Sequence, residues 1–243
     1  MQADERNERL SRISTMWTML RRAHDASSDA ALLARQELMQ RYCGAVYRYL
    51  LSAVRDPHAA EDLTQEFALR FIRGRFEGAD PTRGRFRDYV KRSLFNLVDD
   101  YRRRQRKEPR ALTPELGEPA APAAEHAELD QAFIDSWRQE LLARAWQALA
   151  KAQQETGQPY YAVLRLRVEH PDLHSPEMAK QLTVALGKPL SAAAVRQLLH
   201  RSREKFAAAL VEETRHSLGP AARDQLEEEL AELNFLRYCR SAL

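Results

Sequence analysis

The sequence predicts an all-α fold: two small helical domains joined by a Pro/Ala-rich linker, the second domain carrying a helix-turn-helix. Three observations predict it. Apolar residues recur at three- and four-residue spacing along nearly the whole chain, with no convincing run of alternating β-branched residues. Ala, Leu, Arg and Glu dominate, while Gly numbers only 8 and aromatics only 8%, a bias towards helix formers. One segment interrupts the periodicity: EPRALTPELGEPAAPAAEHAE, 108–128, holds four of the eleven prolines, six Ala and almost no large apolar residue. Such a stretch cannot bury a core and reads as an extended linker. The 243 residues, 44% hydrophobic and 30% charged, then divide into a domain at 8–107, a linker at 108–129, a domain at 130–213 and an acidic helical extension at 214–243.

The elements follow in order. A long helix over about 29–53 presents Leu32, Leu33, Leu38, Tyr42, Val46, Tyr49 and Leu50. Asp56 and Pro57 read as N-cap and first residue of the next helix, because the Asp oxygen accepts orphan N–H groups and Pro has none to lose. That helix runs to about 74, with Leu63, Phe67 and Phe71 inward and Glu61, Asp62, Gln65 and Glu66 towards solvent. Gly78, Pro81 and Gly84 make 75–85 a loop. A helix over about 86–106 follows, with Phe86, Tyr89, Val90, Leu94, Leu97, Val98 and Tyr101 apolar and Arg102, Arg103, Arg104 at its end.

Helices over about 130–155 and 159–169 precede the helix-turn-helix. Ser175 is expected to cap its first helix, with Pro176 at the first position and Met178, Ala179 and Leu182 on one face. Gly187 and Pro189 end it. Ser191 is expected to cap the second, whose stripe of Val195, Leu198, Leu199, Phe206 and Leu210 leaves Arg196, Gln197, His200, Arg201, Arg203 and Lys205 outward. An acidic helix near 220–236 closes the chain.

Several classes are excluded or disfavoured. The longest apolar run, FAAALV at 206–211, falls far short of the roughly 20 residues a membrane span needs. The opening MQADERNERL fits neither a secretory signal nor a transit peptide. Cys43 and Cys239 are too far apart for a local metal or redox motif, so a reduced, cytoplasmic protein without cofactor is expected. His58, Glu61, Asp62 and Glu66 share a helix without a second His at ligand spacing, and His170 and His174 flank a turn. With no Gly-rich phosphate loop and no nucleophile motif, no catalytic residue and no metal site are expected, and an enzyme is disfavoured.

Charge is segregated. Residues 83–107 carry ten Lys or Arg against three Asp, including Arg83, Arg85, Arg87, Lys91, Arg92 and Arg102 to Arg104. Residues 108–130 carry six acids against one Arg, and 212–232 carry seven against two. A dense basic stripe flanked by acidic segments points to a polyanion engaged at chosen places, the alternative being a solvated, ion-paired helix face. Phe86, Tyr89 and Tyr101 interleave with these cations, a mixture that suits a nucleic acid strand being opened: phosphates need cations and unstacked bases need flat apolar faces. In the second helix of the helix-turn-helix, small Ala192, Ala193 and Ala194 allow close approach to a groove, while Arg196 and Gln197 offer donors to base edges or phosphates.

AEDLTQEFALRF at 60–71, GRFRDYVKRSLFNLVDDYRRRQRK at 84–107, and EMAKQL followed by SAAAVRQLLHRSREKF at 177–206 resemble bacterial RNA polymerase sigma factors of the compact extracytoplasmic-function type, in the sigma-70 family. The flanks TMWTMLRRAHDA and VEETRHSLGPAARDQLEEELAEL resemble those of one subgroup. The resemblance implies that Glu61, Asp62, Gln65, Glu66 and Phe67 dock on the clamp helices of the polymerase largest subunit. It implies that 86–107 recognises and melts the minus-ten element, with Asn96 at a base-contacting position, Tyr89 and the basic residues alongside, and the loop 77–85 capturing a flipped base. It also implies that Ser191, Ala192, Ala193, Arg196, Gln197, His200 and Arg201 read the minus-thirty-five element. Between Leu182 and Ser191 the chain carries TVALGKPL, about six residues more than the family's short turn. The partners implied are core RNA polymerase and promoter DNA, with room for an anti-sigma factor or other regulator and none for a membrane. An operator-binding regulator acting without polymerase, and a helical adaptor binding only protein, are the alternatives.

Overall fold

The computed structural model describes residues 29–72, 85–107, 122–218 and 223–243. Those residues are helical almost throughout and hold no strand, so the fold is all-α as the periodicity predicts. They form two compact units. Of the described residues, the first comprises those up to Glu140 together with 215–218, and the second comprises 141–214 and 223–243.

In the first unit, α1 (Asp29–Val54), α2 (Pro57–Ile72) and α3 (Phe86–Lys107) start and stop within two residues of the spans their periodicity predicts. Asp56 caps α2 as expected: its Oδ1 accepts the N–H of His58 at 2.9 Å and of Ala59 at 3.3 Å. Arg55 turns the chain between α1 and α2 with a left-handed φ of 56°. Tyr42, Val46, Tyr49 and Leu50 of α1 are buried with Leu63, Phe67 and Phe71 of α2 and Phe86, Val90, Leu94, Leu97 and Val98 of α3. The side chains of Leu32, Leu33 and Leu38 lie outside the described residues, as do the loop through Gly84 and the segment 108–121.

Helix α4 (Pro122–Thr156) begins eight residues before the predicted start, inside the stretch read as linker. Pro122 stands at the first position, where its missing N–H costs nothing, and the following Ala-Ala-Glu-His-Ala-Glu is rich in helix formers. Proline content at 108–128 masked that propensity. Phe133 and Trp137 of α4 belong to the first core. Trp137 lies flat on Tyr42, ring centroids 4.6 Å apart, with Phe86 at 6.3 Å, and Phe133 meets Tyr49 edge-on at 5.7 Å.

In the second unit, Leu149 of α4 packs with Tyr160, Val163 and Leu164 of α5 (Tyr160–Glu169), Met178, Ala179 and Leu182 of α6 (Ser175–Leu186), and Val195, Leu198 and Leu199 of α7 (Ala192–Leu218). Gln153 fastens α5 to α4 by accepting the Ala162 N–H at 3.0 Å. Ser175 is not the cap of α6. It is already helical, and His174, extended at ψ 161°, takes the cap position without a side-chain bond. The His174 carbonyl accepts the Met178 N–H at 3.0 Å, which starts the helix one residue early, and Pro176 sits in the first turn.

The acidic segment forms α8 (Arg223–Glu232), which is shorter than predicted. Asn234 enters the left-handed region at φ 56°, and the bonds Asn234 N–H to Ala231 and Phe235 N–H to Leu230 close the helix in a Schellman arrangement. α9 (Leu236–Cys239) follows. Glu229 is buried rather than part of an outer acidic face, alongside Leu226 and Leu230. Both cysteines are free, and burial pushes the Cys239 thiol up to about 11. No helix among the described residues is long and apolar enough to cross a membrane.

Candidate nucleic-acid interface

Helix α3 sorts its side chains into four strips. Phe86, Val90, Leu94, Leu97 and Val98 face the core. Opposite them, Arg92, Asn96, Asp99 and Arg103 recur at intervals of four, three and four residues, and all are exposed. This outer strip aligns the nominated base-contacting Asn96 with two cations, one helical turn below and two above.

The third strip turns towards α1 and α4. Lys91 Nζ is 2.7 Å from Asp130 Oδ1 and lies 5.5 Å from the centre of the Phe95 ring, which itself stacks near Tyr49. Arg102 reaches the Ala53 carbonyl at the end of α1, 3.3 Å away. The fourth strip turns towards α2. Tyr89 is half-buried, and desolvation raises its hydroxyl well above the ordinary range. Asp100 stands 3.8 Å from Arg70, and Arg104 donates to Glu66 at 3.1 Å.

Two nominated residues are not on the surface. Arg87 is only 5% exposed, so it lies within the fold rather than on the exposed strip. Phe67 is 4% exposed and stacks on Phe71, so it supports the α2 surface from beneath. Arg83 lies outside the described residues, and Arg85 reaches Asp88 at 3.8 Å.

On α2, Glu61, Asp62 and Gln65 are exposed. Glu66 is different: it is shared by Arg70 on its own helix and Arg104 on α3. Partial burial opposes its ionisation, but the bonds from Arg104 and Arg70 together outweigh that cost and hold the carboxyl below its usual range.

In the second unit, α6 and α7 are joined by Gly187 to Ser191. Gly187 takes φ 64°, the left-handed cap that ends α6. Of the eight residues between Leu182 and Ser191, the first four continue α6 by a turn. Thr183 then closes the loop, its Oγ1 accepting the Leu190 N–H at 3.0 Å, while Leu186 and Leu190 pack on the core. The extra length is thus absorbed as helix and a bonded corner. Ser191 caps α7 as predicted, its Oγ accepting the Ala194 N–H at 3.1 Å. Ala193, Arg196, Gln197, His200 and Arg201 are all exposed, with Ala192 half-buried. His200 lies 3.4 Å from Glu204.

Sequence reading did not anticipate the partners of the basic helix: Asp130 for Lys91, Glu66 for Arg104 and Asp100 beside Arg70. The spacing of Asp130, Phe133 and Trp137 was a usable signal, because it puts the acid on the same face as two aromatics. Among the described residues no group of three or more His, Cys, Asp or Glu is placed to hold a metal.

The family model for Sigma-70 region 2 matches residues 38–108. That span takes in most of α1, all of α2 and all of α3, so the core-facing and outer strips described above belong to the part of the chain similar to that region. It stops before α4 and the second unit. No curated protein and no solved structure gives a significant match to the chain.

Proposed function

We propose that this chain is a sigma factor of the extracytoplasmic-function type, which binds core RNA polymerase and directs it to chosen promoters. The observation that carries the reading is the coincidence of two facts: the Sigma-70 region 2 match covers α3, and α3 presents Arg92, Asn96 and Arg103 as one exposed strip over a buried stripe. In this reading the strip meets the minus-ten strand, cations on phosphates and Asn96 on a base. Glu61, Asp62 and Gln65 of α2 form the polymerase dock. α6 and α7 act as a helix-turn-helix whose Arg196 and Gln197 reach the minus-thirty-five element. The chain supplies recognition and the polymerase supplies the chemistry of RNA synthesis. Two modest readers held on one enzyme act together because tethering raises their effective concentration.

Transcription with purified core polymerase on a promoter library tests this. Promoter-specific transcripts are expected with the chain and none without it. Asp62→Lys is expected to abolish both co-elution with core and transcription while leaving thermal unfolding nearly unchanged, since exposed substitutions cost within about 0.5 kcal/mol. Tight operator binding by the free protein, with no effect of core polymerase, would establish the operator-regulator alternative instead.

A further inference from the structure

Asp130, Phe133, Trp137 and Glu140 fall at intervals of three, four and three residues and so share one face of α4. The centre of this stripe is apolar and fixed: Phe133 on Tyr49, and Trp137, fully buried, on Tyr42. Its ends are carboxylates, each seated on a cation of a different helix. Asp130 holds Lys91 of α3 at 2.7 Å, and Glu140 accepts from Arg48 of α1 at 2.8 Å. Arg48 also donates to the Ser136 carbonyl at 3.2 Å. Gly44 permits the approach of Glu140, because a Cβ there would stand 2.7 Å from its Oε2.

We propose that residues 130–140 are a built-in cover that withholds Lys91 from nucleic acid. The inference rests on the reading of α3 as a nucleic-acid helix. A phosphate and a carboxylate compete for the same ammonium, and Asp130 already occupies it at contact distance. The apolar centre keeps the acid in place without help from the ion pair, so the carboxylate's position does not depend on salt, although its hold on the ammonium weakens as salt screens the charges. The pair itself is partly exposed, 28% for Lys91 and 46% for Asp130. Exposed pairs of this kind are weak, which makes the cover a bias of about two- to fivefold on binding rather than a block. Such a bias suppresses adventitious binding by the free protein and is overcome once other contacts hold the nucleic acid nearby.

The test uses the full chain and a labelled single-stranded oligonucleotide, followed by fluorescence anisotropy at low salt. Asp130→Asn is expected to tighten binding about two- to fivefold. Glu128→Gln, an equal change of charge at an exposed position of the same helix, is expected to do markedly less. Adding Lys91→Ala to Asp130→Asn is expected to remove the gain. Equal effects of Asp130→Asn and Glu128→Gln, no effect of Asp130→Asn, or a gain that survives without Lys91 would each overturn the proposal. Arg92→Ala and Asn96→Ala separate the two failures. If they weaken promoter opening with core polymerase while Asp130→Asn does nothing, the cover is wrong and the sigma reading stands; if they change nothing, the reading of α3 itself fails.

Discussion

Glu66 shows how one side chain can belong to two surfaces. Its carboxylate lies on the acidic helix α2, yet its bonds run to Arg70 and to Arg104 of the basic helix α3. Those bonds hold its folded-state pKa below the unfolded value, so the stabilisation it brings is present above the ordinary carboxylate range and is lost as pH falls through the folded-state value. Glu66→Gln should therefore lower stability near neutrality, and the gap to the parent chain should close on acidification below about pH 4. Urea unfolding across pH, for both chains, measures this; a gap that stays constant into acid would show that the carboxylate charge contributes nothing. Arg87 and Phe67 carry the opposite lesson. The family resemblance nominated Phe67, and the resemblance together with its charge nominated Arg87, for contact with a partner, whereas burial assigns both to the interior. Helical spacing predicted that of Phe67, because it falls in step with Leu63 and Phe71. The same spacing marks Arg87, which stands three residues before Val90 and seven before Leu94 on the apolar face of α3, but its charge argued for the surface and the spacing was the better guide.

At the scale of elements, what was legible was what local chemistry determines. Asp56 and Ser191 cap their helices because each stands just before an amphipathic run with no competing group, and the apolar faces of α2, α3 and α7 follow from spacing alone. The start of α4 was not legible, since prolines at 109, 114, 119 and 122 read alike in sequence while only Pro122 opens a helix. Nor could spacing say which core Phe133 and Trp137 would join. The structure places them among Tyr42, Tyr49 and Phe86, so the N-terminal part of α4 completes the core of the first unit. Trp137→Ala should then cost about 3–5 kcal/mol of stability, as for other fully buried aromatics. Trp137→Phe should cost less, because it keeps a ring against Tyr42 and removes an indole N–H that has no hydrogen-bond partner among the described residues. Urea midpoints followed by circular dichroism check the order. Little loss in the alanine variant would show that the family-matched segment 38–108 is stable without this helix.

At the scale of the whole molecule, net charge says little, since +3 conceals a basic α3 and acidic stretches at 108–130 and 212–232. Each unit presents cations in a different setting, and this sets how each set should fail. Within the Arg triplet, Arg102 holds the end of α1 and Arg104 holds Glu66, which leaves Arg103 as the member on the outer strip with Asn96. Arg103→Ala should weaken open-complex formation on all promoters alike. It should also flatten the salt dependence, because each lost phosphate contact removes about 0.9 from the log–log slope on duplex DNA and about 0.7 on a single strand. Arg196 and Gln197 stand in the first two turns of α7, on its exposed face behind the Ser191 cap, and under the proposed function these are the side chains that would reach base edges. Replacing either by Ala should cost about 1–3 kcal/mol on a matched upstream element and little on a scrambled one. Open-complex formation measured across salt on both templates separates the two behaviours. A loss at Arg196 and Gln197 that is equal on both would make α7 a phosphate clamp, and sequence discrimination would then rest on α3 alone.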